Sequence, residues 1–474
     1  MSRAGRWTAR ILIGVGVALL VVLVVAIGAL LFFKIPQTAA GMAAKAVCSA
    51  HFVSGRSGSV EDLMAEDVAG ASPVFAVVST SIDEEDKVVN ARFLGVMSRQ
   101  AAFMAERGCV LDGDADPQAK PVEPDAPDPA AWPAGDAPVA EAIPELERVL
   151  DAAMVGAGDV AAANTRAVAV IQDDQLVGLR IADGFSPQTP QHGWSMTKTV
   201  AAMLMYMRAK EVGLDLETPV VDAFRPGREP AWLSDWRQDE RADITVMDLL
   251  NMTDGLDNDE GYAPGGSVPE MLWTAPDMAG WAAEHPVAHP AGTSWQYLSA
   301  TANILAEVTR GLFDTDEEYW AYPQQALFGP LDIDSATLET DADGTWVGSS
   351  YLWASVLDWA RLGRLMMADG SWDGTQVMPA GWVELATTRA MPDGEGHGYG
   401  AQTWMLGDPI GGECKDYPGV PEDTMAMEGH WGQLVAMIPS RNAQVVRLGW
   451  TFESDQYDMC QLISDALAAL PETS

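Results

Sequence analysis

A chain of 474 residues with 48% hydrophobic content is long enough for a large core and for more than one folded unit. Its 68 acidic against 28 basic residues leave a formal charge of −40, which repels a phosphate backbone, and no basic cluster relieves it, so nucleic acid is not expected as a partner. Acidity on this scale suits an exported or salt-exposed protein whose carboxylates are spread over the surface.

Arg3, Arg6 and Arg10 precede Ile11 to Phe33, twenty-three residues without a charge. That length spans a bilayer core, whereas the apolar part of a cleavable signal is usually shorter. With only Lys34 close behind the span, the charge bias puts the N-terminus in the cytoplasm and the body outside. Residues 1–34 therefore read as a cytoplasmic N-terminus and one transmembrane helix, with signal cleavage near Thr38-Ala39-Ala40 as the alternative. An even count of cysteines outside the reducing cytosol predicts disulfides. Their two-by-two distribution favours Cys48–Cys109 and Cys414–Cys460 among three connectivities. No C-x-x-C pair argues for metal or redox chemistry.

Residues 35–111 read as a small juxtamembrane unit, with strands over 72–81 and 88–97 and a short helix over 98–111 that ends at Gly108. Residues 112–138, rich in Pro, Asp and Ala, read as an extended linker or a connection draped over the surface. In the remainder, 139–474, an amphipathic helix over 142–154 precedes two strands within 165–185 about the turn Gln172–Gln175. The run "HGWSMTKTV" at 192–200 opens an apolar helix reaching about Ala209. Helices follow within 290–313 and 349–370, the latter ended by Gly370, and two late strands lie within 426–450. A strand pair, then helices, then returning strands predict an α+β domain whose sheet takes strands from both ends.

Lys198 is the only one of seven lysines with a serine three positions before it. On a helix Ser195 and Lys198 share a face, so the amine can draw the hydroxyl proton while Trp194 and Met196 limit water. The plainer alternative is a serine N-cap beside a solvated lysine. His285 and His289 have the spacing of a zinc pair, but Pro286 and Pro290 interrupt any helix, and the reading is a loop without metal. His397, in "GEGHGYG", reads as a loop histidine that could approach a site.

Five segments, "WSMTKTV", "ITVMDLLNMTDGL", "PAGTSWQYLS", "SWDGTQVMPAGWV" and "GHWGQLVAMIP", stand in the order and approximate spacing of the serine β-lactamase and penicillin-binding-protein superfamily. The chain resembles its class C-like branch of esterases and 6-aminohexanoate-dimer-hydrolase-like serine hydrolases, over about residues 140–470. The resemblance implies a β-lactamase/transpeptidase-like fold, an antiparallel sheet flanked by helices with an all-helical region beside it. It makes Ser195 the acylated nucleophile, Lys198 its amine, and Tyr297 the general base that returns a proton to the leaving group. A neighbouring ammonium would stabilise the Tyr297 phenolate. Ser299 would bond Lys198 or substrate, or begin the next helix.

His430-Trp431-Gly432 occupies the place of the third motif, which in the family lies on an edge strand. There the Gln433 N–H would join that of Ser195 as an oxyanion hole, Gly432 would let substrate approach, and Trp194 and Trp431 would stand near it. Histidine in place of the usual lysine removes the cation that holds a β-lactam carboxylate. The function expected is a membrane-anchored, exported serine hydrolase that cleaves a small-molecule or short-peptide amide or ester through acyl-Ser195, without metal or organic cofactor. Its catalytic domain would sit on the periplasmic, extracytoplasmic side. The alternatives are a D-alanyl-D-alanine carboxypeptidase or β-lactamase, and a non-catalytic binding protein of the same fold, which would have no need of Ser195, Lys198 and Tyr297 together.

Overall fold

The computed structural model describes residues 34–120, 128–138, 142–155, 163–263, 265–391, 398–452 and 454–471, together with Leu12, Val15, Val17, Gly28 and Phe32. Among these residues no helix is long and apolar enough to cross a membrane, and the candidate span 11–33 lies outside them apart from the five single residues.

Helix α1 (Ile35–Cys48) starts after Lys34, whose φ of 50° breaks the chain direction, and Pro36 presets its first turn. Its middle is small and buried, with Ala39, Ala40, Gly41, Ala43 and Ala44. A Cβ on Gly41 would come 2.3 Å from the Trp273 carbonyl, so only glycine lets α1 seat against the body at that point. A second helix, α2 (Val60–Asp67), opens with a capping box between Ser59 and Asp62.

An antiparallel sheet follows, β1 (Val78–Asp83), β2 (Val88–Phe93), β3 (Met97–Met104) and β4 (Gly108–Leu111), in sequential order. The helix predicted over 98–111 is thus two strands. Its Gln, Ala, Met and Glu residues favour a helix, but Ala101 pairs with Val89 on one side and Leu111 on the other, and this pairing overrides propensity. The strand expected from 72 starts only at Val78, after a 3₁₀ turn over Pro73–Val77. Both disulfides take the favoured pairing: Cys48–Cys109 ties α1 to β4, and Cys414–Cys460 lies near the C-terminus. Residues 128–138 are draped on the body, with Trp132 buried and Arg361 donating to the Pro133 and Gly135 carbonyls at 3.1 and 3.2 Å.

In the body, α3 (Pro144–Val155) precedes the hairpin β5 (Thr165–Gln172) and β6 (Gln175–Ile181), whose turn residues Asp173 and Asp174 both adopt positive φ. Helices α4 (Met196–Val212), α5 (Ser267–Thr274), α6 (Ser299–Arg310) and α7 (Val356–Met367) follow. The chain then returns to the sheet through β7 (Tyr399–Gly400), β8 (Thr403–Trp404), β9 (Met425–Gly429), β10 (Gln433–Ile438) and β11 (Ala443–Gly449), and ends in α8 (Met459–Ala469). Three strands, not two, lie within 426–450, because the His430–Gly432 segment is itself a turn. The sheet order is β7-β8-β9-β10-β11-β5-β6, antiparallel throughout. One face packs on α3 and α8 through Leu146, Leu150, Ile463 and Leu467. The other carries α4 and α7, and the helices between residues 233 and 322 gather beside it. This is the α+β arrangement read from the sequence.

The N-terminal unit is bolted to this body by buried ions. Glu339, wholly buried, accepts from Lys45, from Ser49 Oγ and Cys109 N at 2.8 Å each, and from Trp353 Nε1 at 2.8 Å. Asp67 takes both Arg56 of the unit and Arg166 of β5, while its carbonyl receives Trp450 Nε1 at 3.0 Å.

Candidate active site

Helix α4 is buried on every side from Met196 to Met207, emerges at Lys210–Val212, and is ended by Gly213 at φ 72°. The turn before it is tight. A Cβ on Gly193 would meet the Trp359 ring at 2.2 Å, and Trp194 has φ 48°. The Met196 and Thr197 amides are bonded to the Gly193 and Trp194 carbonyls, and the Ser195 side chain caps nothing, which removes the N-cap alternative. Ser195 is instead held 9% exposed at the head of the helix.

Lys198 Nζ lies 3.0 Å from Ser195 Oγ, 3.0 Å from Ser299 Oγ and 3.1 Å from the Ser349 carbonyl. The Ser349 oxygen can only accept. Ser299 donates its hydroxyl proton to Glu260 at 2.6 Å and so also accepts from Lys198. A neutral amine at this position therefore spends its two hydrogens on Ser349 and Ser299, and its lone pair faces the Ser195 hydroxyl. Burial lowers the Lys198 pKa to about 8, with Glu260 opposing, so the neutral form is accessible near neutral pH. Ser299 combines two of its expected roles. It starts α6, with its amide on Glu260 at 2.6 Å, and it bonds Lys198; being fully buried, it offers substrate no surface.

Tyr297 places its ring 4.7 Å from Lys198 Nζ, and its hydroxyl interacts with Ser195. The expected stabilised phenolate does not hold. Burial, with Tyr399 and Glu260 adding to it, raises the Tyr297 pKa well above the ordinary phenol value, so the residue rests as a neutral phenol. Two residues that the sequence did not single out complete the centre. Glu260 is described above, and Tyr262 reaches both Ser195 and Ser299 with a phenol whose pKa burial and Glu260 raise. Both belong to a loop more than thirty residues before Tyr297, and only the fold brings them to Ser195.

On the other flank, His430 stacks on Tyr262 at 4.2 Å and 10°, with Trp194 edge-on to His430 at 5.3 Å and to Trp431 at 5.1 Å. Burial, followed by Lys198, lowers the His430 pKa to about 4, so at neutral pH it carries no charge. Trp431 also packs on Trp450 and Phe452, which makes it part of an aromatic cluster as well as a wall. The edge-strand expectation is corrected: β10, which begins at Gln433, lies between β9 and β11. Gly432 has φ 85°, and a Cβ there would meet the Arg447 guanidinium at 2.4 Å, so the turn and its packing themselves require glycine. The Gln433 side-chain Nε2 donates to the His430 and Gly449 carbonyls, and a Cβ on Gly429 would touch the Gly193 carbonyl at 2.2 Å. The β9–β10 turn thus abuts the turn that carries Ser195. His397 lies outside the described residues, and His285 rests its Nδ1 against the Trp281 and Ala282 carbonyls.

With this geometry established, comparison with known proteins places the chain. The profile of the beta-lactamase family matches residues 116–467. The 6-aminohexanoate-dimer hydrolase of Paenarthrobacter ureafaciens is 23% identical over 275 residues, covering 52% of this chain and 66% of that enzyme, just under two thirds of its length. Among solved structures, a penicillin-binding-protein homologue from Caulobacter crescentus superposes with a TM-score of 0.50 at 16% identity over 70% of this chain and 99% of that one. EstCE1, a hydrolase with promiscuous acyltransferase activity, gives 0.51 at 13% identity over 69% and 97%. At those identities the structures show the shared fold alone, whereas the profile spans most of the chain. The chain belongs to the beta-lactamase family, within the serine β-lactamase and penicillin-binding-protein superfamily of hydrolases.

Proposed function

We propose that the protein is a membrane-anchored serine hydrolase that cleaves an amide or ester of a small molecule or short peptide through an acyl-Ser195 intermediate. The observation that carries this is Lys198 Nζ at 3.0 Å from Ser195 Oγ, with Ser299 Oγ and the Ser349 carbonyl placed to accept the two hydrogens of the neutral amine. Neutral Lys198 takes the Ser195 proton as Oγ attacks the carbonyl carbon, and the oxyanion turns to the Ser195 and Gln433 N–H groups. The carbon–leaving-group bond breaks while the neutral Tyr297 phenol gives its proton to the departing amine or alcohol and is refilled from the Lys198 ammonium. Water then releases the acid and restores Ser195. The anchor is residues 11–33, with the body on the extracytoplasmic side; the exposed apolar residues Leu12, Val15 and Val17 and the two disulfides support it.

One experiment tests both halves. Membranes from cells expressing the full chain are washed with alkaline carbonate and treated with a fluorophosphonate probe. The expected result is label in the pellet, on Ser195, and none on Ser195→Ala. Folded protein that takes no label sinks the hydrolase reading, and release of the chain by carbonate sinks the anchor.

The β-lactamase reading is disfavoured by the uncharged His430. Nitrocefin is expected to be a poor substrate beside a neutral ester, and His430→Lys is expected to raise the nitrocefin to ester ratio of kcat/KM about tenfold or more, the worth of one charge-assisted hydrogen bond. Wild-type turnover of nitrocefin as fast as that of the ester would overturn this assignment.

A further inference from the structure

The N-terminal unit, residues 35–111, lies wholly outside the match to the family, yet it forms one side of a cavity beside the active site. The cavity holds about 180 Å³ and lies between Ile35, Met42 and Phe75 of the unit and Trp194, Tyr262 and His430 of the body. Trp194 directly precedes the candidate nucleophile, and the Tyr262 phenol interacts with its hydroxyl. Trp194 and Tyr262 thus belong both to the cavity lining and to the surroundings of Ser195.

The two tyrosines divide the surroundings of Ser195. Tyr297 stands with Tyr399 at 5.8 Å and Trp404 at 5.2 Å, and Tyr262 stands with His430. A leaving group that receives its proton from Tyr297 faces the first wall, which leaves the acyl substituent for the second, where the cavity lies. A dry apolar cavity of about 150 Å³ accepts benzene. The space here thus suits a phenyl ring or a chain of roughly six carbons, and is too small for a long fatty chain.

We propose that this cavity is the acyl pocket, that the substrate carries an apolar acyl group of phenylacetyl or hexanoyl size, and that the N-terminal unit sets that specificity. This rests on Ser195 as the nucleophile. Val74 and Thr38 line the cavity from two separate segments of the unit and are both half-buried, which makes them suitable places to fill it.

The test uses the full chain in detergent with p-nitrophenyl esters from acetate to dodecanoate, and phenylacetate. For the wild type, kcat/KM is expected to rise roughly fourfold per methylene up to about hexanoate, the gain for moving one CH₂ out of water, and to fall at dodecanoate. In Val74→Trp the hexanoate to acetate ratio is expected to drop at least tenfold, and Thr38→Trp, on the other segment, should repeat the effect. A flat chain-length profile, a ratio unmoved in both variants, or no ester hydrolysis by protein whose Ser195 still takes the fluorophosphonate would overturn the pocket and leave the nucleophile standing. Failure of that labelling would remove the nucleophile, and the pocket with it.

Discussion

Replacing Ser195 by alanine or Lys198 by methionine is expected to lower kcat/KM by about 10²–10⁴-fold or more, and the lysine replacement is also expected to raise the melting temperature. Lys198 is 1% exposed, and the largest influence on its pKa is desolvation. Below about pH 8 it is an ammonium that donates to Ser195 Oγ and cannot draw its proton, so activity should climb through pH 8 and level off above it. Its folded pKa lies below the ordinary lysine value of about 10.4, so between the two the unfolded chain binds more protons and stability from this residue grows as pH rises. Below pH 8 the buried charge is a full cost. Methionine, of similar volume, is expected there to stabilise the fold by about 1–4 kcal/mol, a difference that shrinks toward pH 10. Lys198→Arg, charged at every pH, should remain inactive across the range. A wild-type rate flat from pH 6 to 10 would show that another group is the base.

How much of this was readable beforehand depended on how far apart the partners lie in the chain. Ser195 and Lys198 sit one helical turn apart, a spacing that made them a candidate pair beside the plainer N-cap, and segment order gave them their roles. Tyr297, His430 and Gln433 were found through segment order, which locates a position but not its electrostatics. The sequence therefore suggested a phenolate at Tyr297, where burial and Glu260 maintain a phenol. Glu260 and Tyr262 carried no signal, because an acidic residue and a tyrosine in a polar loop gain meaning only when that loop folds over α4. The disulfides followed from compartment and distribution, whereas residues 98–111 were misassigned because propensity was weighed without the strands on either side. The role of the N-terminal unit was illegible for the same reason as Tyr262: its cavity-facing residues, Ile35 to Phe75, acquire a partner surface only from Trp194, Tyr262 and His430.

Glu339→Ala is expected to destabilise the protein by about 3–5 kcal/mol, the cost of leaving one member of a buried ion pair alone. The carboxylate is wholly buried and serves three groups of the N-terminal unit, Lys45, Ser49 and the Cys109 amide, together with Trp353 of the body. Its removal strands the Lys45 ammonium, 4% exposed and already depressed in pKa by burial, against the Tyr351 ring. The double variant Lys45→Met, Glu339→Gln removes the charge along with its partner and should recover much of the loss, so the cycle separates an unpaired charge from a simple cavity. The Cys48–Cys109 bridge lies within the unit and cannot hold it to the body. Undocking should therefore appear as protease cleavage between residues 35 and 111 at temperatures where the body, including Ser195, still takes the fluorophosphonate. Acyl-chain preference should flatten in that same range, because the wall that sets it has left. Melting of the whole chain in one step, with labelling and chain preference lost together, would show instead that the unit is a cooperative part of the catalytic fold.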